Sequence, residues 1–323
     1  MHKFFFLSTL ALLLTSTLFA NDLLNDYREN GLHNIEKKMD FELTKKEYWS
    51  EYLQEKDTTF GFIEKYSAIL TCDKSDSTLQ LYKKNNNSSF SLVKGYSAFV
   101  GEVKGDKTKE GDLKTPTGVY RLTKKISNPD SFYGPLAFVT SYPNDYDKIR
   151  GHNGHGIWIH GLPTKESRDD FTKGCIAIGN SSLECLDRNI DMDNTLLIIN
   201  ENEVIQDISK EDLALILANI YEWRYAWLYS DIELYLSFYA KDFRRFDGMN
   251  LTKFGNYKKR IFSKKGKKTI LFNNISVIPY PSKKDVYQIM FEEIYRSSTF
   301  QFSGKKSLMI KIKNKKIEIF TER

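Results

Sequence analysis

A histidine and a cysteine, His160 and Cys175, stand at the two ends of a polar, charged loop in HGLPTKESRDDFTKGCIAI, residues 160–178, with an apolar run on either side. A lone thiol is a weak nucleophile, because at a pKa of about 8.5 only a small fraction is thiolate at neutral pH; an adjacent imidazole supplies either a base or a stabilising cation. Read as a strand, GIWIHG puts Ile157 and Ile159 on one face and Trp158 and His160 on the other, and Gly161 ends it. Cys175 opens the next apolar strand behind Gly174, which lets the backbone come close to whatever lies in front. If those strands are neighbours, the twelve residues between Gly161 and Gly174 form a rim beneath which the two side chains meet.

Short β-type runs surround this pair. YSAILTC, TLQLYKK, FSLVKGYSAFVG, GVYRL, LAFVTSY, GIWIHG, CIAIG and TLLIIN are separated by Gly, Pro, Asn and Asp clusters, which predicts a mainly β domain over 61–203 with one helix near 181–189. Before it, residues 21–60 are charged with intermittent Leu, Ile, Met and Tyr and read as a short helical arm. After it, a second domain over 204–323 opens at Ser209, which with Asp212 resembles a capping box. Leu213, Ile216, Leu217, Ile220, Trp223 and Trp227 then recur at helical spacing, so the tryptophans read as core. A second helix is expected over 232–239, then four β-type segments near 257–262, 269–278, 286–296 and 307–321. In SLMIKIK, Leu308, Ile310 and Ile312 face one way and Lys311 and Lys313 the other.

Residues 1–20, MHKFFFLSTLALLLTSTLFA, have one lysine, an apolar stretch too short and too interrupted for a span, and a small residue at the end. They read as a secretory signal, with the mature chain starting near Asn21 outside the cytoplasm. Three cysteines, Cys72, Cys175 and Cys185, are an odd number, so at least one thiol is unpaired. A Cys72–Cys185 bond stays open, and Cys175 is the thiol best placed to be reactive. Residues 241–323 carry 21 Lys and Arg against 7 Asp and Glu, a net of +14 within a whole-chain +6. That basic part suits anionic wall polymer or a membrane surface, or it serves as solvated strand edges; nucleic acid is not an expected partner of an exported chain.

HGLPTKESRDDFTKGCIAI resembles the signature of the YkuD family of L,D-transpeptidases, in which His-Gly is followed by Ser or Thr, a variable residue, Gly and Cys. GDLKTPTGVYRL, residues 111–122, is similar to that family's GD-x-x-TP-x-G-x-Y segment. The resemblance implies a mainly β, YkuD-like β-sandwich acting on peptidoglycan stem peptides in the periplasm. It implies Cys175 as nucleophile, His160 as base and the Gly161 carbonyl as the group that orients the imidazole. Thr172, Gly174 and the Cys175 backbone would shape the oxyanion site, with Trp158 and His155 at the cleft. Many crosslinking members carry Arg two residues after the Cys, where this chain has Ala177, so Lys173, Arg168 and Arg150 are the candidates for binding the substrate carboxylate. The C-terminal part resembles an α+β NTF2-like cone, and the pairing of the two domains is similar to periplasmic L,D-carboxypeptidases that set cell shape. By that analogy the chain trims D-Ala from tetrapeptide stems, forms a homodimer through the arm, and has a C-terminal pocket for a small ligand or glycan; the alternatives are 3-3 crosslinking and non-catalytic peptidoglycan binding.

No cofactor and no metal are expected. His152, His155 and His160 are spaced closely enough to raise a metal site with Cys175 or an acid as a fourth ligand, but the Thr-Lys-Gly-Cys context has no role in one, and His152 and His155 read as rim residues. A papain-like protease is disfavoured because such enzymes place Cys before His in the chain.

Overall fold

The computed structural model describes the backbone of residues 3–163, 171–202, 205, 206, 208–264 and 266–323, and side chains from residue 22 onward. Two helices, α1 (Lys3–Glu42) and α2 (Lys46–Tyr52), lead into a two-residue strand, β1 (Phe62–Ile63). Eight strands follow: β2 (Ala68–Asp73), β3 (Thr78–Lys84), β4 (Phe90–Phe99), β5 (Gly118–Ser127), β6 (Leu136–Thr140), β7 (Trp158–His160), β8 (Ile176–Ile178) and β9 (Thr195–Asn200). A short helix α3 (Asp145–Ile149) lies between β6 and β7, and α4 (Asn180–Asn189) lies between β8 and β9. The last part is α5 (Lys210–Leu228), α6 (Ile232–Ser237), α7 (Leu251–Phe262), then β10 (Thr269–Pro279), β11 (Val286–Arg296), β12 (Gln301–Lys313) and β13 (Lys316–Glu322).

The eight apolar runs of the first domain are all strands, and they close in the order β2-β3-β4-β8-β7-β6-β5-β9. The two layers expected of a sandwich are therefore joined into a barrel, with β4 and β5 pairing in both. Alternation fills its interior: Leu70, Cys72, Leu79, Leu81, Ile157, Ile159, Ile176 and Ile178 share one buried cluster. Cys72 is buried, burial raises its thiol pKa to about 12, and all three cysteines are free.

In the C-terminal domain Ser209 caps α5, its hydroxyl accepting from the Asp212 amide at 3.0 Å. Leu213, Ile216, Leu217, Ile220, Trp223 and Trp227 are buried as their spacing requires. Residues 257–262, expected as a strand, are the end of α7. Asn250 caps that helix, and Phe254, Lys258 and Phe262 recur every four residues on its buried face, a period a strand cannot satisfy. The stretch near 307–321 is two strands, because Asn314 and Lys315, both with positive φ, turn the chain between β12 and β13. Leu308 and Ile310 face the helices while Met309 packs on the barrel side with Ile278, Tyr280, Val119 and Ile198.

β1 pairs with β10, so residues 62 and 63 belong to the C-terminal sheet although they precede the barrel. The arm breaks at Gly31, where φ is +75°. Its second half packs on α5 of the same chain: Arg224 Nη1 donates to Asp40 at 2.8 Å, Tyr229 Oη to Asp40 at 3.0 Å, and the Trp49 and Tyr221 rings are 5.0 Å apart. Its first half keeps Leu24 and Tyr27 exposed. No helix among the described residues is long and apolar enough to cross a membrane.

Candidate active site

β7 and β8 are parallel neighbours, with Ile159 opposite Ile176 and His160 opposite Ala177. That register puts Trp158, His160, Ala177 and the preceding Cys175 on one face, with Ile159 and Ile176 turned to the core. The condition set by the sequence is met: the rim loop joins adjacent strands, and its ends lie side by side.

Cys175 is half-buried, its Sγ receiving the Trp158 amide at 3.4 Å and donating to the Gly156 carbonyl at 3.3 Å. His160 is 1% exposed, and its Nδ1 lies 2.7 Å from the Gly161 carbonyl. A carbonyl only accepts, so Nδ1 carries the proton and the basic lone pair is on Nε2. Tyr133 packs edge-on against the imidazole and at a tilt against Trp158, with both centroids at 5.0 Å.

The bend behind the cysteine is fixed by Thr172. Its hydroxyl donates to the Cys175 carbonyl at 2.6 Å and accepts the Gly174 amide at 3.0 Å. Thr172 and the Gly174 amide are thus engaged with each other and hold the turn. Gly174 has φ +126°, and a Cβ there would meet the Lys114 carbonyl at 2.7 Å. Thr115 completes the brace, donating to the Gly174 carbonyl at 3.0 Å and accepting the Gly101 amide at 2.8 Å. The GDLKTPTG stretch is therefore the floor under the Cys175 turn. Asp112 ties it together, accepting from Lys107 Nζ at 2.7 Å and from the amides of Thr108, Lys109 and Lys114. Burial alone would raise its pKa, but these donors outweigh burial and bring it down to about 2.

Several partners were not apparent from the sequence. Asn180, the first residue of α4, accepts the Leu162 amide at 2.8 Å and donates to the Leu162 carbonyl at 3.1 Å, clamping the chain just after His160. A Cβ on Gly161 would fall 2.2 Å from its Oδ1. Tyr133, whose carbonyl accepts the Gly161 amide at 2.9 Å, is the other. Neither carries a motif; Asn180 leaves one trace, an Asn at a helix start.

The other residues singled out in the sequence go different ways. His155 is on the rim, exposed, with Nδ1 3.8 Å from Glu110. His152 is not at the rim: it is largely buried, 3.9 Å from both Asp106 and Asp147, and burial followed by the charge of Arg150 lowers its pKa. Arg150 bonds Asp147 at 2.7 Å and Asp106 at 3.2 Å, so it is committed inside the barrel domain. Asp147 is fully buried, and burial holds its carboxyl up near 6 despite Arg150. Lys173 is exposed beside the turn, and Arg168 lies outside the described residues. The three histidines have three separate sets of partners, and no group of three or more His, Cys, Asp or Glu among the described residues is arranged to hold a metal.

This barrel, with a thiol and an imidazole on adjoining parallel strands, matches the L,D-transpeptidase catalytic domain over residues 67–199, and residues 215–323 match the Cds6 C-terminal NTF2-like domain. The chain belongs to the YkuD family of L,D-transpeptidases and carries a C-terminal NTF2-like domain. It is similar to the helical cell shape determining protein Pgp2 from Campylobacter jejuni, at 38% identity over 87% of this chain and 99% of that one, with a TM-score of 0.79. Bd1075 from Bdellovibrio bacteriovorus is similar at 26% identity over 80% of this chain and 92% of that one, with a TM-score of 0.64. The L,D-transpeptidase-like protein YafK of Escherichia coli K12 is 32% identical over 113 residues, 34% of this chain and 42% of YafK. The chain thus spans about two fifths of the curated relative it matches.

Proposed function

We propose that this chain is a periplasmic L,D-carboxypeptidase that removes the terminal D-Ala from tetrapeptide stems of peptidoglycan and so affects cell shape. The observation that carries it is Cys175, its sulfur bonded to the Trp158 amide on the strand face that also bears His160. His160 Nε2 takes the thiol proton, and sulfur attacks the carbonyl of the L-centre of diaminopimelate. The C–N bond breaks, the imidazolium returns the proton to the departing D-Ala amine, and the acyl group stays on sulfur. Water, deprotonated by the same imidazole, then cleaves the thioester and restores the thiol. Gly161 holds the tautomer through its carbonyl; Thr172 and Gly174 hold the turn; Trp158 and Tyr133 form the aromatic wall.

Water is favoured as acceptor over a second stem's amine because the position two after the cysteine is Ala177, fully buried opposite His160, with no cation there. Lys173 is the cation nearest in sequence to the thiol. The signal segment, a domain boundary near 203 and 204, pairing of two chains through the exposed half of the arm, and a small ligand or glycan in the C-terminal domain belong to the same reading.

The test is mass spectrometry of muropeptides, including the tetrapeptide monomer, incubated with wild type and with Cys175→Ala. Loss of one alanine with wild type only is the expected result. New 3-3 dimers would make the chain a crosslinking enzyme, and an unchanged biological effect of Cys175→Ala would make it a binding protein.

A further inference from the structure

Lys74 follows β2 directly and is 8% exposed, yet its ammonium is fully engaged. Nζ donates to the Gly105 carbonyl at 2.8 Å and to the Thr115 carbonyl at 3.0 Å, and it lies 2.9 Å from the carboxylate of Glu201, the residue after β9. A buried ammonium is costly unless its protons find acceptors, and here three protons meet three acceptors. Gly105 and Thr115 are ten residues apart, so this one nitrogen closes the neck of the loop 105–115.

That loop touches both segments that hold the thiol. At its neck Thr115 donates to the Gly174 carbonyl, on the turn that ends in Cys175. Toward its tip the Thr108 carbonyl accepts the Asn153 amide at 3.1 Å, and the Glu110 amide donates to Asn153 Oδ1 at 2.9 Å. The Asn153 carbonyl in turn accepts from Tyr142 Oη at 2.9 Å. Asn153 stands just before Gly156, whose carbonyl accepts the thiol, and Trp158, whose amide meets the sulfur. Outside the β7–β8 ladder, one loop therefore bridges residues 153–158 and 172–175, the two sides of the Cys175 environment.

We propose that Lys74 is a positioning residue for Cys175: by closing the neck of the loop 105–115 it sets the spacing between the turn at Gly174 and the segment at Gly156, between which the sulfur sits. That this spacing serves turnover rests on the function proposed above. The bonds to the two carbonyls carry the effect rather than the ion pair, because Glu201 meets the loop at the Gly105 amide, 3.1 Å away, and it is Thr115 that leads to the turn.

The full chain is compared with K74M, K74R and E201Q by urea unfolding, by kcat and KM for the tetrapeptide monomer per folded molecule, and by the pH profile of Cys175 alkylation with iodoacetamide. Peptide mass spectrometry reads the alkylation, so that Cys72 and Cys185 are not counted. K74M is expected to lower kcat ~10–100-fold at unchanged KM, the scale of a small misplacement of reacting groups, and to move the alkylation profile toward that of a free thiol, near pH ~8.5. E201Q is expected to lose stability and keep the wild-type kcat and profile. A less stable K74M with unchanged kcat and profile overturns the proposal, and a kcat loss in E201Q equal to that in K74M overturns the role of the carbonyl bonds. Should K74M not fold, K74R carries the test, because its guanidinium keeps the charge but cannot set one nitrogen on both carbonyls; wild-type kcat and profile in K74R overturn the proposal. A shifted profile in K74M with no trimming of any muropeptide by the wild type spares Lys74 and overturns the carboxypeptidase reading.

Discussion

The surroundings of Cys175 and the interior of the C-terminal domain use buried polar groups differently. Around Cys175 nearly every buried polar side chain bonds backbone: Thr172 to Gly174 and Cys175, Thr115 to Gly101 and Gly174, His160 to Gly161. The C-terminal interior is instead an aromatic cluster of Trp223, Trp227, Tyr235, Tyr239 and Phe254 that encloses charge. Lys258 Nζ lies 4.4 Å from the Trp227 ring centroid, and burial, partly offset by Glu322, lowers its pKa to about 8. Trp227 Nε1, Glu293 Oε2 and Thr321 Oγ1 have no hydrogen-bond partner there. The turn at Cys175 is fixed by side chain to backbone bonds; the C-terminal interior relies more on apolar contact and leaves some of its polar atoms unsatisfied.

If that contrast is right, His160→Gln slows the proposed trimming reaction by ~10³-fold with little change in the urea midpoint, because loss of a positioned base is worth about 10²–10⁴-fold. Trp223→Ala does the reverse: it costs about 4 kcal/mol in urea unfolding and leaves kcat per folded molecule unchanged. An equal loss of kcat in folded Trp223→Ala would erase the distinction. Asp112→Asn tests the floor of the site. The folded pKa is below the unfolded one, so the ionised carboxylate contributes stability above pH 3.8 that disappears as pH falls through about 2. Asn forgoes about 2 kcal/mol at neutral pH and flattens the acid limb between pH 4 and 2, measured by urea titration across that range. The smallest effect is expected of Thr172→Val, which unties the Gly174 amide: about 1 kcal/mol of stability and a ~10-fold lower kcat. A kcat effect on the scale of His160→Gln would mean that the hydroxyl meets the substrate.

His160, Cys175 and the strands that carry them were readable because strand alternation and turn residues are local signals. Thr115 was readable as part of a motif, though its role as a brace under Gly174 was not. Asn180 and Tyr133 gave little warning, since their partners are contacts between separate elements. His152 was misplaced for a related reason: spacing puts it near His155, but Asp106 and Asp147 draw it inward. The strand expected at 257–262 failed because Tyr257, Ile261 and Phe262 suit either structure, and only Asn250 at the cap and the four-residue period from Phe254 decide for helix.

Pairing of Phe62 and Ile63 with Val277 and Ser276, together with Asp40 and Trp49 on α5, makes the barrel an insertion within a larger C-terminal unit. Both strands of the connection between the two bodies are then under one tether. The barrel is therefore joined to the rest of the chain by two connections rather than one. Cutting the chain after the barrel would strand Trp49, Leu53 and Phe62 without the core that buries them. A swap that transplants this C-terminal domain to another catalytic barrel must carry residues 40–63 with it.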